Sequence, residues 1–322
     1  MKKMIYRLSA AALSLWLLMG SVSASSLLVP VGELIGLEIQ DRTVTVAGFD
    51  TAAGRTPEST GLEAGDILLK INKTSIGCVE DVRSALAASD GTVQILVQRG
   101  SSTENVRLEP MITDEGPRLG VYLRQGVTGV GTVTWYDPDT GSFGALGHGV
   151  NTQEHLLVHM TQGNAYRASV VSVKKGRSGD PGQLIGTIRD SEPIGPLLKN
   201  TEQGVFGKAK GAFSGQELPV ASVSEIQKGP ATILSTVLGQ SPQEYSVEIL
   251  KIYPTSAAQG RNMLLRVTDS RLLDTTGGIV QGMSGSPIIQ DGKLIGAVTH
   301  VLVNDPTTGY GIFIENMLDA AA

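Results

Sequence analysis

One cysteine, Cys78, is all that this chain of 322 residues contains. A lone thiol closes no internal disulfide, so the fold must be held by its core without staples. Cys78 has no histidine near it in sequence and reads as a small core-filling residue rather than a nucleophile. Aromatic residues are scarce at 4%. The net charge is only −5, and no basic stripe or aromatic-interleaved Lys/Arg cluster occurs, which argues against nucleic acid as a partner. Long amphipathic helical patterns are few. Histidine is sparse too: the four histidines are His148, His155, His159 and His300. What the chain has in quantity is glycine, 40 residues of it, punctuating short apolar runs. That pattern favours a mainly β fold, and the length suits two ordinary domains.

The N-terminus carries a targeting pattern. Lys2, Lys3 and Arg7 form a positive region, Leu8 to Met19 a short, mostly apolar one, and Val22-Ser23-Ala24 a set of small residues fit for signal peptidase. Residues 1–24 therefore read as a signal peptide cut after Ala24, with retention as an uncleaved anchor the alternative, and the chain as exported. The run is short for a membrane span, and no other segment has the length of one.

Residues 29–110 read as a first domain. Leu34 to Ile39 reads as a strand entered through a glycine, and Thr43 to Ala47 alternates polar and apolar with the period of a strand. Then comes Gly61-Leu62-Glu63-Ala64-Gly65-Asp66-Ile67-Leu68, followed by Ile71-Asn72 and by apolar residues at helical spacing from Val79. This run resembles a PDZ domain. The resemblance implies a groove between a strand and a helix, where an extended peptide adds as a further strand. The match to a carboxylate-binding loop before Gly36 is poor.

Met111 to Gly116 is short and polar and reads as the boundary. From 117 to 322 short strands alternate with glycine-rich turns, which suits a pair of β-barrels. Val130 to Tyr136 and Ser142 to Leu146 form a hairpin that delivers His148 just past its second strand. Lys174 to Gly182 reads as a charged, solvated loop.

The chemistry concentrates in two motifs. Gly282-Met283-Ser284-Gly285-Ser286-Pro287 places a serine between glycines, where a tight turn can expose its hydroxyl and aim backbone N–H groups at one point. Gly144 to Gly149 places His148 between two glycines. Histidine before serine is the chain order of chymotrypsin-type peptidases. Ser284 is thus the candidate nucleophile, His148 the base, and the N–H groups of Gly282 and Ser284 the candidate oxyanion hole. A carboxylate must orient the imidazole. Asp269, Asp274, Asp190 and Asp180 are candidates; Asp269 follows an apolar strand and falls between His148 and Ser284, whereas Asp190 lies in a charged turn nearer the histidine. His300, after the strand that follows the serine loop, reads as a packed or rim histidine. His155 and His159 have no carboxylate between them and sit in a strand-like run, so neither a metal nor another cofactor is expected.

Gly277 to Gln290, Gly296 to His300, Val303 to Pro306 and Gly309 to Gly311, together with the histidine motif and the PDZ-like run, are similar to the stage IV sporulation protein B peptidases of endospore-forming bacteria. The resemblance implies an N-terminal PDZ-like domain followed by a chymotrypsin-like double β-barrel. It implies a serine endopeptidase in the space between forespore and mother-cell membranes, with tethering to a membrane as the alternative to a free enzyme. Such an enzyme cuts itself and then an inhibitory membrane partner of an intramembrane protease, which releases processing of the late mother-cell sigma factor. On this resemblance the catalytic residues are His148, Asp269 and Ser284. The chain departs from digestive chymotrypsins at Met283, where those enzymes carry an aspartate. A non-catalytic PDZ-bearing adaptor with a decayed protease fold is the alternative.

Overall fold

A computed structural model describes residues 27–152, 155–254 and 260–322, apart from the side chain of Asp190. The signal segment and its cleavage position lie outside the described residues. Among those described, no helix is long and apolar enough to cross a membrane.

The chain enters through β1 (Leu27–Pro30) and a long strand β2 (Leu34–Phe49). Two strands were expected within β2. The polar stretch Gln40 to Thr43 instead forms an irregularity in one continuous strand, because the pairing with residues 121–132 resumes beyond it. The strand's first half and second half therefore lie in different units.

The second half opens an inserted unit: α1 (Pro57–Thr60), β3 (Ile67–Ile71), β4 (Thr74–Ser75), α2 (Val79–Ala87), β5 (Val93–Arg99), β6 (Ser102–Leu108) and the small hairpin of β7 (Met111–Thr113) and β8 (Gly116–Arg118). Thr56 caps α1, with the Ser59 side chain answering its backbone N–H, and the helix ends at Gly61 in a left-handed turn (φ 72°). Leu62 is then buried in a core of its own, with Val44, Leu68, Val82, Leu86 and Ile95. Buried Asp66 is bonded to the Glu63 N–H and paired with Arg99 at 2.7 Å. Cys78 sits just before α2, half-buried.

The chain returns through β9 (Val121–Tyr136), then β10 (Ser142–Ala145), β11 (Gln162–Lys174), β12 (Gln183–Thr201), β13 (Gly204–Lys208) and β14 (Leu218–Pro219). Strands β2, β9, β10, β13, β12 and β11 pair in that order, and β11 pairs back onto β2, which closes a six-stranded barrel. The strand pairings thus cross the boundary expected near residues 111–116. Leu34 to Ile39 supplies a wall of the first barrel, since its alternate side chains Ile35, Leu37 and Ile39 fill that barrel's core with Val133, Phe143 and Val205.

The second barrel is closed by β15 (Gly229–Ser235), β16 (Gln243–Ile252), β17 (Met263–Val267), β18 (Pro287–Gln290), β19 (Lys293–Leu302) and β20 (Asp305–Phe313). Helix α3 (Ser270–Thr276) follows β17, and α4 (Ile314–Ala321) ends the chain. Ile314 and Met317 of α4 pack with Trp135 and Phe206 of the first barrel and Ile312 of the second, so the last helix clamps the two barrels together. The expected mainly β architecture with barrels is what the chain adopts.

Candidate active site

The two motifs meet between the barrels. After β10 the backbone turns through Leu146 and Gly147, both at φ 69°, and presents His148. Position 147 tolerates only glycine: a Cβ there would stand 2.9 Å from Thr299 Cγ2, at a left-handed φ. The serine arrives from the other barrel, between α3 and β18. Gly285 (φ 97°) passes so close to β9 that a Cβ would lie 2.0 Å from the Thr132 carbonyl oxygen. Met283 is fully buried among the second barrel's apolar side chains, a place where an aspartate would lie uncompensated.

Two threonines of β9 hold the serine loop. Thr132 and Thr134 are fully buried, and their hydroxyls donate to the carbonyls of Gly282 and Gly285, each at 2.8 Å. The Thr132 N–H donates to the Ser284 carbonyl (2.9 Å), and the Thr132 carbonyl accepts from the Leu146 N–H (3.1 Å). One residue therefore fixes the loops of both the histidine and the serine. Neither threonine was singled out from sequence; their one signal is two hydroxyls, two residues apart, in the apolar run Val130 to Tyr136.

His148, Ser284, Thr299 and His300 line one cleft of about 530 Å³, walled on the apolar side by Leu37, Ile279, Val280 and Val301. No Asp, Glu, Lys or Arg is among the described residues lining it. The His148 Nδ1 lies 2.9 Å from the Gly149 carbonyl, so Nδ1 carries the proton and Nε2 is left with the lone pair. The Ser284 hydroxyl donates to the Thr299 carbonyl at 2.8 Å. In the loop, the N–H groups of Met283, Gly285 and Ser286 are bonded to carbonyls. Those of Gly282 and Ser284 have no backbone acceptor among the described residues, as an oxyanion hole requires. Burial lowers the pKa of His148, partly opposed by the Gly149 carbonyl.

His300 is the fourth member of the cleft. Its ring lies 5.3 Å from that of His148, centre to centre, tilted by 40°. Burial, with the nearby charges of His148 and Arg261, lowers its pKa to about 4. Its Nδ1 is buried without a hydrogen-bond partner.

Asp269 is placed elsewhere. It caps α3, accepting from the N–H groups of Arg271 (2.9 Å) and Leu272 (3.3 Å) and from that of Ser246, and it is paired with the Arg271 guanidinium at 2.8 Å. The Arg271 side chain lowers its pKa to about 2. Asp269 neither lines the cleft nor bonds to His148, whose Nδ1 faces a main-chain carbonyl instead. In this arrangement Asp269 precedes a helix, and the helix N-terminus takes its carboxylate. Asp274 is exposed on α3, and Asp180 is paired with Lys174 on the surface. The side chain of Asp190 lies outside the described residues. His155 and His159 are exposed on a non-helical segment, and no group of metal-ligating side chains occurs among the described residues.

The loop from Lys174 to Gly182 also differs from expectation. It is docked on the second barrel, not merely solvated: Gly176 N–H donates to the Thr276 carbonyl, Gln281 N–H to Gly182, and Gly179 N–H to Val303. The first barrel thereby braces the segment leading into the serine.

A histidine and a serine delivered from two six-stranded barrels into one cleft define a serine peptidase. The chain belongs to the SpoIVB peptidase S55 family, whose model matches residues 115–318. No curated protein matches it. Among solved structures it is similar to the Rv3671c protease of M. tuberculosis. The inactive form is 14% identical over 59% of this chain and 81% of that one, with a TM-score of 0.34. The active form is 16% identical over 60% and 72%, with a TM-score of 0.33.

Proposed function

We propose that this serine peptidase is an exported endopeptidase that cuts itself and then an inhibitory membrane partner of an intramembrane protease, signalling activation of the late mother-cell sigma factor. The space between the forespore and mother-cell membranes is where it acts. Family membership supports the sporulation role. The observation that carries the chemistry is the cleft itself: His148 with Nε2 unprotonated, Ser284 beside it, and two free N–H groups on the serine loop.

In the proposed reaction Ser284 turns from the Thr299 carbonyl toward His148. Its Oγ adds to the scissile carbonyl while Nε2 takes the hydroxyl proton. The N–H groups of Gly282 and Ser284 receive the oxyanion, and the imidazolium returns the proton to the leaving amine. Water then releases the acyl group by the same steps in reverse. The scheme draws only on His148, Ser284 and backbone N–H groups of the serine loop.

The inserted unit is proposed as the PDZ-like domain, with a peptide ligand. Val79, Val82 and Leu86 of α2 face Leu119, Val121 and Leu123 across a groove of about 440 Å³, which suits an extended apolar peptide. The bond from Ser284 to Thr299, in place of one to His148, is what keeps the adaptor reading as the second. Co-expression with the membrane partner separates the two. Cleavage of the partner and of the chain itself is expected with the wild type and lost with Ser284→Ala; equal processing by both would refute the enzyme reading.

A further inference from the structure

We propose that the cleft accepts only a small aliphatic side chain, alanine or valine, on the amino side of the scissile bond, and that Ile279 and Val301 set this limit. The inference deepens the peptidase reading and rests on Ser284 as its nucleophile. The place of that side chain follows from the site. The substrate carbonyl must meet Ser284 Oγ while its oxygen faces the N–H groups of Gly282 and Ser284. The Ser284 hydroxyl donates to the Thr299 carbonyl at 2.8 Å and leaves that acceptor free when it turns toward His148. The N–H of the same substrate residue can take it up. Pinned between the serine loop and Thr299, that residue directs its side chain into the space between segment 279–282 and β19. Ile279, Val280, His300 and Val301 line this part of the cleft.

The space is shallow. Val301 pairs with Gly309 of β20, so the two share one face of the sheet. Ile279 lies across that face: a Cβ on Gly309 would stand 2.6 Å from Ile279 Cδ1 and 2.5 Å from the His300 carbonyl oxygen. Glycine at 309 thus makes room for the Ile279 side chain, which with Val301 fills the depth a long substrate side chain would need. Ile279 is held in place. It is buried, and its segment is fixed by backbone bonds on three sides: Ile279 N–H to the Pro306 carbonyl (2.8 Å), Gln281 N–H to Gly182 (2.9 Å) and Met283 N–H to Val280 (3.1 Å). Charge is excluded as well. No Asp, Glu, Lys or Arg is among the described residues lining the cleft, so a lysine or aspartate side chain seated there would have no partner.

The test uses the full chain and a series of peptidyl diphenyl phosphonates with one common leader. They differ only in the residue that bears the phosphonate: the analogue of Ala, Val, Phe, Lys or Asp. The serine oxygen bonds to phosphorus and phenol leaves with the serine proton, so the inactivation rate reads how well each side chain is seated. The wild type is expected to react fastest with the Ala and Val reagents, and at least about 100-fold more slowly with Phe, Lys and Asp; a single methylene in such a pocket already decides roughly 10–200-fold. Ile279→Ala should deepen the space and raise the Phe-to-Ala rate ratio by about ten-fold or more. Should that variant not fold, Val301→Gly, at a half-buried position, is expected to do the same. A wild type that prefers Phe, Lys or Asp, or a folded variant with an unchanged ratio, would overturn the proposal. Failure of the underlying reading is separately visible. A wild type labelled by a leaderless fluorophosphonate but indifferent to the reagent's side chain keeps the peptidase reading and refutes the size limit. A wild type that takes neither kind of reagent refutes both.

Discussion

At the scale of residues, the cleft is an exercise in desolvation. His148 and His300 share it, and burial pushes both below the ordinary histidine value. The sign for activity follows directly. His148 acts as a base only when neutral, and lowering its pKa keeps it neutral to lower pH. The acid limb of kcat/KM should therefore have its midpoint below about 6.5, the unperturbed value. A midpoint above it would contradict the burial seen here. Stability has its own sign. A histidine with a lowered folded pKa binds protons better when unfolded, so stability is complete above about pH 6.5 and declines below it, toward the His300 value of about 4. Urea midpoints at pH 7 and pH 5 should show the decline, and His300→Asn should reduce it. Much of this scale was legible in sequence. Glycines around His148 and Ser284 mark both loops. Thr132 and Thr134 were not legible, because a threonine in a strand is ordinary until its hydroxyl is seen to face the other barrel, and Thr299 was not, because it acts through its main-chain carbonyl.

At the scale of elements, short helices and bent strands account for what the sequence did not show. Asp269 looked like the end of a strand because α3 spans only Ser270–Thr276, too short to print a helical period. Its true partners are backbone N–H groups and Arg271. Asp269→Ala should cost about 1 kcal/mol of stability, the usual worth of an N-cap, and Asp269→Asn should retain most of it. Since α3 leads into the serine loop through Gly277 and Gly278, activity should track stability in the two variants. Denaturant curves beside turnover check this. An Asn variant that is fully stable and yet inactive would mean that His148 needs a carboxylate this arrangement does not give it. The docked loop from Lys174 to Gly182 was hidden for a related reason. It is anchored by backbone groups and by the Lys175 and Ser178 side chains, all bonded to or from main-chain groups, and such partners leave no trace in composition.

At the scale of the whole molecule, β2 and β9 decide the architecture. They run as one ribbon from the first barrel into the inserted unit, so that unit is an insertion in a barrel and not a domain placed ahead of it. The barrel class was readable from strand spacing, but the pairing of residues 34–39 with β9 and β11 joins segments far apart in sequence, and local patterns carry no such information. The consequence is concrete. A chain starting at Pro117 lacks one of six strands of the first barrel and should not fold. A chain in which residues 41–125 are replaced by a two-residue turn keeps all six and should fold, as circular dichroism and cooperative melting would show. The reverse result would refute the insertion. The central claim is that Ser284, activated by His148, is the nucleophile of this cleft, and mass spectrometry after fluorophosphonate labelling tests it most directly. The expected result is one adduct on the peptide carrying Ser284, lost in Ser284→Ala and nearly lost in His148→Ala, with all three proteins folded. A folded wild type that takes no label, or takes it at another residue, would contradict the claim.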